Sequence, residues 1–176
     1  HNISTAHDVE STRNCLGQCG IISSKENETV RISGGTYEAP KSPLDCGNSG
    51  TTVRLLIGLL SGKGIPAIFK GDESLSKRPM KRIIKPLRDF GVDIESKNNC
   101  LPIKITPRIL TGITYTLPIA SAQVKSSILL AGLGAAGETI VRENIKTRDH
   151  TELMLMELGA QIAINENIVV QSLQNP

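Results

Sequence analysis

The chain has 176 residues, 39% hydrophobic and 21% charged, with a net charge of +3, only 2% aromatic residues and no tryptophan. This length can bury an aliphatic core of its own, and the small positive charge, with no basic stripe interleaved with aromatics, argues against a nucleic-acid partner. No apolar run reaches the ~18 to 20 residues that would span a bilayer, because Gly132 and Gly134 break the longest, so no membrane partner is expected.

Residues 1–8 lack the basic and apolar regions of a signal peptide, which predicts a cytoplasmic protein. The first predicted helix ends at Cys19-Gly20 and feeds a strand at Ile21-Ile22, a polar turn from Lys25 to Glu28, and a returning strand over 29–32. Cys15 and Cys19 share a helix face, while Cys46 and Cys100 stand apart, and His1, His7 and His150 supply no metal-ligand spacing. The cysteines read as small buried thiols, and neither metal nor cofactor is expected.

Further along, Asn48-Ser49-Gly50-Thr51-Thr52-Val53-Arg54 opens a small-residue, aliphatic helix over 52–60. Ser49, Gly50 and Thr51 offer backbone N–H groups at the positive end of a helix dipole, and Gly50 lets a ligand approach the main chain. Gly71 to Pro79 forms a loop presenting Ser74, Ser76, Lys77 and Arg78 before an amphipathic helix over 81–90, where Pro86 predicts a kink or an early break. A strand after Gly91, a turn over 97–99 and a strand over 102–105 follow.

Ser121-Ala122-Gln123-Val124-Lys125-Ser126 then opens a second aliphatic helix over 123–133, offering hydroxyls, an amide and the Lys125 cation. Arg148 precedes a last helix over 151–158, with Thr147 or Asp149 as its cap, which is apolar nearly all round and is predicted to be buried on more than one side. The chain closes with Gly159, a strand, an Asn165–Asn167 turn and a strand over 168–171.

These elements recur with a period of about 70 residues: strand, aliphatic helix, strand, polar helix, glycine stop, hairpin. The fold class is α/β, with about two and a half copies at roughly 1–36, 37–107 and 108–176, the first holding only its second half. Three helix-opening turns rich in hydroxyls, amides and cations suggest a phosphorylated ligand. Each also has a plainer reading, an ordinarily capped helix beside a solvated Arg or Lys.

The four segments Asn48 to Arg54, Gly71-Asp72-Glu73-Ser74-Leu75-Ser76-Lys77-Arg78-Pro79-Met80, Ser121 to Ser126 and Thr147-Arg148-Asp149-His150-Thr151-Glu152 resemble, in order and spacing, the 5-enolpyruvylshikimate-3-phosphate (EPSP) synthase family. The resemblance implies a two-domain enzyme of βαβαββ units, each domain an inside-out α/β barrel. This chain would be a partial amino-terminal domain, partnered by the absent carboxy-terminal domain. It also implies metal-free transfer of the enolpyruvyl group of phosphoenolpyruvate to the 5-hydroxyl of shikimate 3-phosphate. Ser121, Ala122, Gln123 and Arg148 would contact shikimate 3-phosphate with Thr51 nearby, while Asn48, Gly50, Arg78 and Gln123 would face phosphoenolpyruvate and Arg54 would lie near that loop. No catalytic proton-transfer residue is assigned within these residues, and the isolated chain is expected to be inactive. Gly50 stands where an alanine crowds glyphosate in tolerant relatives, so room for that inhibitor is expected. The alternatives are a relative of the UDP-N-acetylglucosamine enolpyruvyl transferase and a non-catalytic sugar-phosphate-binding module.

Overall fold

The structure is a computed structural model that describes residues 3–27 and 29–173. The expected turn from Lys25 to Glu28 therefore includes one residue, Glu28, outside the described set.

In chain order the elements are α1 (His7–Gln18), β1 (Ile22–Glu26), β2 (Thr29–Gly34), β3 (Leu44–Asp45), α2 (Gly50–Gly62), β4 (Ala67–Lys70), α3 (Glu73–Ser76) and α4 (Lys81–Asp89). There follow β5 (Asp93–Lys97), β6 (Cys100–Thr106), β7 (Thr114–Leu117), α5 (Ala122–Gly132), β8 (Glu138–Glu143), α6 (His150–Glu157), β9 (Ile162–Ile164) and β10 (Ile168–Gln171).

The repeat is visible in the sheets. One has the order β3-β4-β6-β5 and another β7-β8-β10-β9, while β1 and β2 form a two-stranded sheet. In each four-stranded sheet the first pair is parallel and the rest antiparallel, Leu44 pairing Phe69 and Tyr115 pairing Val141 in the parallel ladders. Parallel neighbours need a crossover, and α2 and α5 provide it. Each unit is thus βαβαββ, and the fold class is α/β as expected.

The glycine stops work as read. Gly20, Gly91 and Gly159 have φ of +90°, +104° and +83°, a region that costs other residues a Cβ clash. After each, an N–H reaches back to close the preceding helix, from Ile21 to Leu16 O, Val92 to Leu87 O and Ala160 to Leu155 O. The three helices thus leave by the same hydrogen-bond pattern, each into a hairpin.

The core is aliphatic, with Phe69, Phe90, Ile57, Leu60, Ile83 and Leu87 fully buried. At its centre α2 and α5 lie side by side and parallel: Gly58 backs onto the Ser127 main chain and Gly62 onto Leu130, Ala131 and Gly134. Glycines let the backbones approach closely, so equivalent helices of two repeats stay in register and their amino termini open at the same end.

Two local expectations change. Pro86 does not break α4, which continues to Asp89; the carbonyl its missing N–H would have engaged belongs to exposed Arg82, where water can take its place. Helix α6 is buried on one side only, through Glu152 and Leu155, leaving Leu153, Met154 and Met156 each 48% exposed, because no further layer of described residues covers it.

Candidate functional site

The site grows from the α2 amino terminus. Ser49 is its cap, extended at φ −82° and ψ 96°, and its Oγ accepts the Thr52 N–H at 3.1 Å and the Thr52 hydroxyl at 2.7 Å. This closes the first turn with groups below the surface and leaves the N–H groups of Gly50 and Thr51 at the positive end of the dipole.

A chain of hydrogen bonds sets the neighbouring loop. Arg78 Nη2 donates to Asn48 Oδ1 at 2.5 Å, and Asn48 Nδ2 donates to Asp72 Oδ2 at 2.6 Å. Asp72 Oδ1 meanwhile accepts the Leu75 N–H at 2.7 Å and caps α3. The Leu75 amide, then the Asn48 amide, hold the Asp72 carboxyl below its ordinary range. Asn48 thus has both ends committed, and the Arg78 guanidinium is aimed.

The third contributor is α5, capped by Ser121, whose Oγ accepts the Val124 N–H at 3.4 Å. Within its first turn, Gln123 Nε2 donates to Thr51 Oγ1 at 2.8 Å, while Gln123 Oε1 accepts from Arg54 Nη1 at 3.2 Å. The two helix mouths are stitched into one surface. Burial, then repulsion from Arg78 and Arg82, pushes Arg54 below its usual pKa. A cavity of about 580 Å³ lies here, lined by Arg54, Arg78, Arg82, Ser121, Gln123 and Tyr115 among others. A Cβ on Gly50 would collide with Arg54 Nη1 and lie 3.6 Å from Arg78 Nη1, so the two guanidinium groups use the space that glycine leaves.

Of the expected residues, then, Arg78, Ser121 and Gln123 line one cavity, Asn48 and Thr51 are bonded to them, Gly50 lies beneath Arg54, and Ala122 is the first residue of α5. Arg148 lies exposed in the loop before α6, outside the lining of that cavity. Arg54 takes a larger part than its sequence context suggested. Arg82, the second residue of α4, also lines the cavity and was missed; a cation in the first turn of the helix that follows the Arg78 loop was the available signal.

Other expected anion-facing groups point elsewhere. Ser76 Oγ donates to Gly71 O at 3.2 Å, and Lys77 pairs with Glu73 at 2.6 Å in open solvent. Lys125 is turned inward onto Glu143 and Glu152, where opposite charges partly offset the cost of taking one another out of water. Thr147 does not cap α6 either: its hydroxyl donates to Glu143 Oε1 at 2.6 Å, and the cap residue Asp149 makes no side-chain cap bond. Among the described residues no group of three or more His, Cys, Asp or Glu is placed to hold a metal ion, and no helix is long and apolar enough to cross a membrane.

Repeated βαβαββ sheets, with the amino termini of equivalent helices meeting at a cavity lined by three arginines, define the class of this α/β protein. Residues 1–175 match the family model described as EPSP synthase (3-phosphoshikimate 1-carboxyvinyltransferase), and the chain belongs to that family. It is 50% identical over 164 residues to a 3-phosphoshikimate 1-carboxyvinyltransferase of Vesicomyosocius okutanii, covering 91% of this chain and 38% of that protein. A Syntrophomonas wolfei protein of the same name is 46% identical over 169 residues, covering 93% of this chain and 40% of the relative. The solved EPSP synthase of Acinetobacter baumannii superposes with a TM-score of 0.91 at 43% identity, covering 97% of this chain and 40% of that one. The chain thus spans about two fifths of the length of these relatives.

Proposed function

We propose that this chain supplies part of the substrate-binding half of an enolpyruvyl transferase that joins phosphoenolpyruvate to the 5-hydroxyl of shikimate 3-phosphate and releases phosphate. The observation that carries the reading is the convergence of Arg54, Arg78, Ser121 and Gln123 on one cavity at the mouths of α2 and α5. Both substrates are phosphorylated, and phosphoenolpyruvate adds a carboxylate; planar guanidinium forks and helix N–H groups suit both anions. Each charge-assisted bond contributes about 1.5 to 3 kcal/mol, so three or four on one dianion reach micromolar affinity.

Within this reading Ser121, Ala122, Gln123 and Arg148 hold shikimate 3-phosphate beside Thr51, and Asn48, Gly50, Arg78 and Gln123 face phosphoenolpyruvate. Addition of the hydroxyl across the enol double bond and elimination of phosphate then need groups from the remainder of a longer protein. The two and a half repeat copies form part of the amino-terminal domain of a two-domain enzyme, and the second domain is its partner. Four free thiols, three of them buried, support a reducing, cytoplasmic setting.

The test is a calorimetric titration of shikimate 3-phosphate into the chain, with shikimate as the control lacking phosphate. Saturable binding of the ester alone, weakened by Arg148→Ala, is expected; a folded chain that binds neither overturns the reading. Turnover is expected only on mixing with the complementary domain, which separates a half-enzyme from a plain binding module.

A further inference from the structure

Lys125 sits two residues beyond Gln123 on α5, yet its side chain is only 1% exposed. Its Nζ lies 3.0 Å from Glu143 Oε2 at the end of β8 and 2.5 Å from Glu152 Oε1 in the first turn of α6. The other oxygen of Glu143 accepts the Thr147 N–H at 3.2 Å and the Thr147 hydroxyl at 2.6 Å, and the Ser126 and Thr151 hydroxyls meet at 2.6 Å. One ammonium therefore ties three elements together, and the loop between them, residues 144–149, carries Arg148.

Stability alone is a poor account of this cluster. Two carboxylates face one ammonium, and among the described residues Glu152 Oε2 is buried without a partner, which costs free energy. An apolar pair of similar volume would hold α5 against α6 as well or better. What charged, directional bonds add is registration: they allow one position of the loop relative to the α5 mouth, where apolar packing would allow several.

We propose that Lys125, through Glu143 and Glu152, is a positioning residue that fixes the Arg148 loop against the amino terminus of α5, where Ser121 and Gln123 present their polar groups. The inference rests on the reading of the site above. Lys125 does not itself line the cationic cavity; it acts through Arg148.

The test compares Lys125→Leu/Glu152→Leu with the unaltered chain, each with and without Arg148→Ala. Thermal midpoint, amide exchange of residues 144–149 and affinity for shikimate 3-phosphate are measured. The expected result is a lowered midpoint, because Glu143 keeps a nearly buried carboxylate without its cation, exchange in the loop that is faster than this global loss accounts for, and an affinity lower by about tenfold, the scale typical of lost supporting contacts. No further loss is expected when Arg148→Ala is already present. The nearly isosteric Glu143→Gln, which sets an amide against the ammonium, gives the same readouts if the double variant does not fold. Unchanged loop exchange, unchanged affinity, or losses that simply add to those of Arg148→Ala overturn this inference and leave the site reading standing. Absence of saturable binding by the unaltered chain overturns both.

Discussion

Gln123 Nε2 donates to Thr51 Oγ1 at 2.8 Å across 72 residues of chain, so the amino termini of α2 and α5 are held by a bond between equivalent helices of successive repeats. Thr51→Val keeps the shape and removes the acceptor. Stability is expected to change by about 1 kcal/mol or less, while affinity for shikimate 3-phosphate falls several-fold because Gln123 and Arg54 lose their shared orientation. Calorimetry on the variant decides it, and unchanged affinity would show that Gln123 is oriented by other contacts.

Gly50→Ala places a methyl where Arg54 Nη1 now lies. A guanidinium at the end of a long side chain can move, so the fold should survive with a midpoint shift of a few degrees at most. Phosphate or phosphoenolpyruvate binding should weaken, and the Arg54 Nε–H resonance should move. On the proposed reading of a half-enzyme, the same variant assembled with the complementary domain should lower glyphosate inhibition, read as a rise in the inhibition constant relative to the KM for phosphoenolpyruvate.

A different glycine gives the opposite balance. Gly→Ala inside a helix ordinarily gains up to about 1 kcal/mol. At Gly58, however, a Cβ would run into the Ser127 carbonyl, which is backbone and cannot swing aside. Gly58→Ala should therefore destabilise by roughly 1 to 3 kcal/mol, as overpacking does, measurable by urea denaturation.

Acid should loosen the loop that aims Arg78. The Asp72 carboxyl is held below its ordinary range by the Leu75 and Asn48 amides. Its contribution is therefore present above the unfolded-state value, ~3.9, and is lost as pH falls through the lower folded-state value. The Asn48 side-chain amide signals should titrate with a midpoint below ~3.9, and Asp72→Asn should abolish that titration. A midpoint at or above the ordinary value would mean that the Asn48 bond does not persist in solution.

Thiol chemistry offers a check on burial. Burial, then Cys15, pushes Cys19 up to about 11, so it stays protonated at pH 8. Cys15, Cys19 and Cys46 are fully buried and Cys100 is partly exposed. Iodoacetamide should label one site quickly in the native protein and four after denaturation, by mass spectrometry. Fast labelling of Cys46 would show that the loop before Asn48 opens readily.

Much of this molecule is written in features that act over a few residues. Gly20, Gly91 and Gly159 end their helices in the left-handed region that glycine enters without a Cβ penalty, and Asn27, Asn98 and Asn99 take positive φ in the hairpin turns, at 53° to 55°. Those local requirements, repeating about every 70 residues, made the βαβαββ unit legible, and the helix-opening motifs located Asn48, Thr51, Arg78, Ser121 and Gln123. Where a long charged side chain points depends instead on partners distant in sequence. Lys125 faces Glu143 and Glu152 rather than the cradle, Arg54 reaches Gln123, and α6 exposes methionines that local patterning placed inside. Sequence alone determined the repeat and the helix mouths, because backbone preference and hydrophobic period are local. Only the tertiary structure decided which cations serve the cavity, because desolvation and pairing are settled by the neighbours that folding brings together.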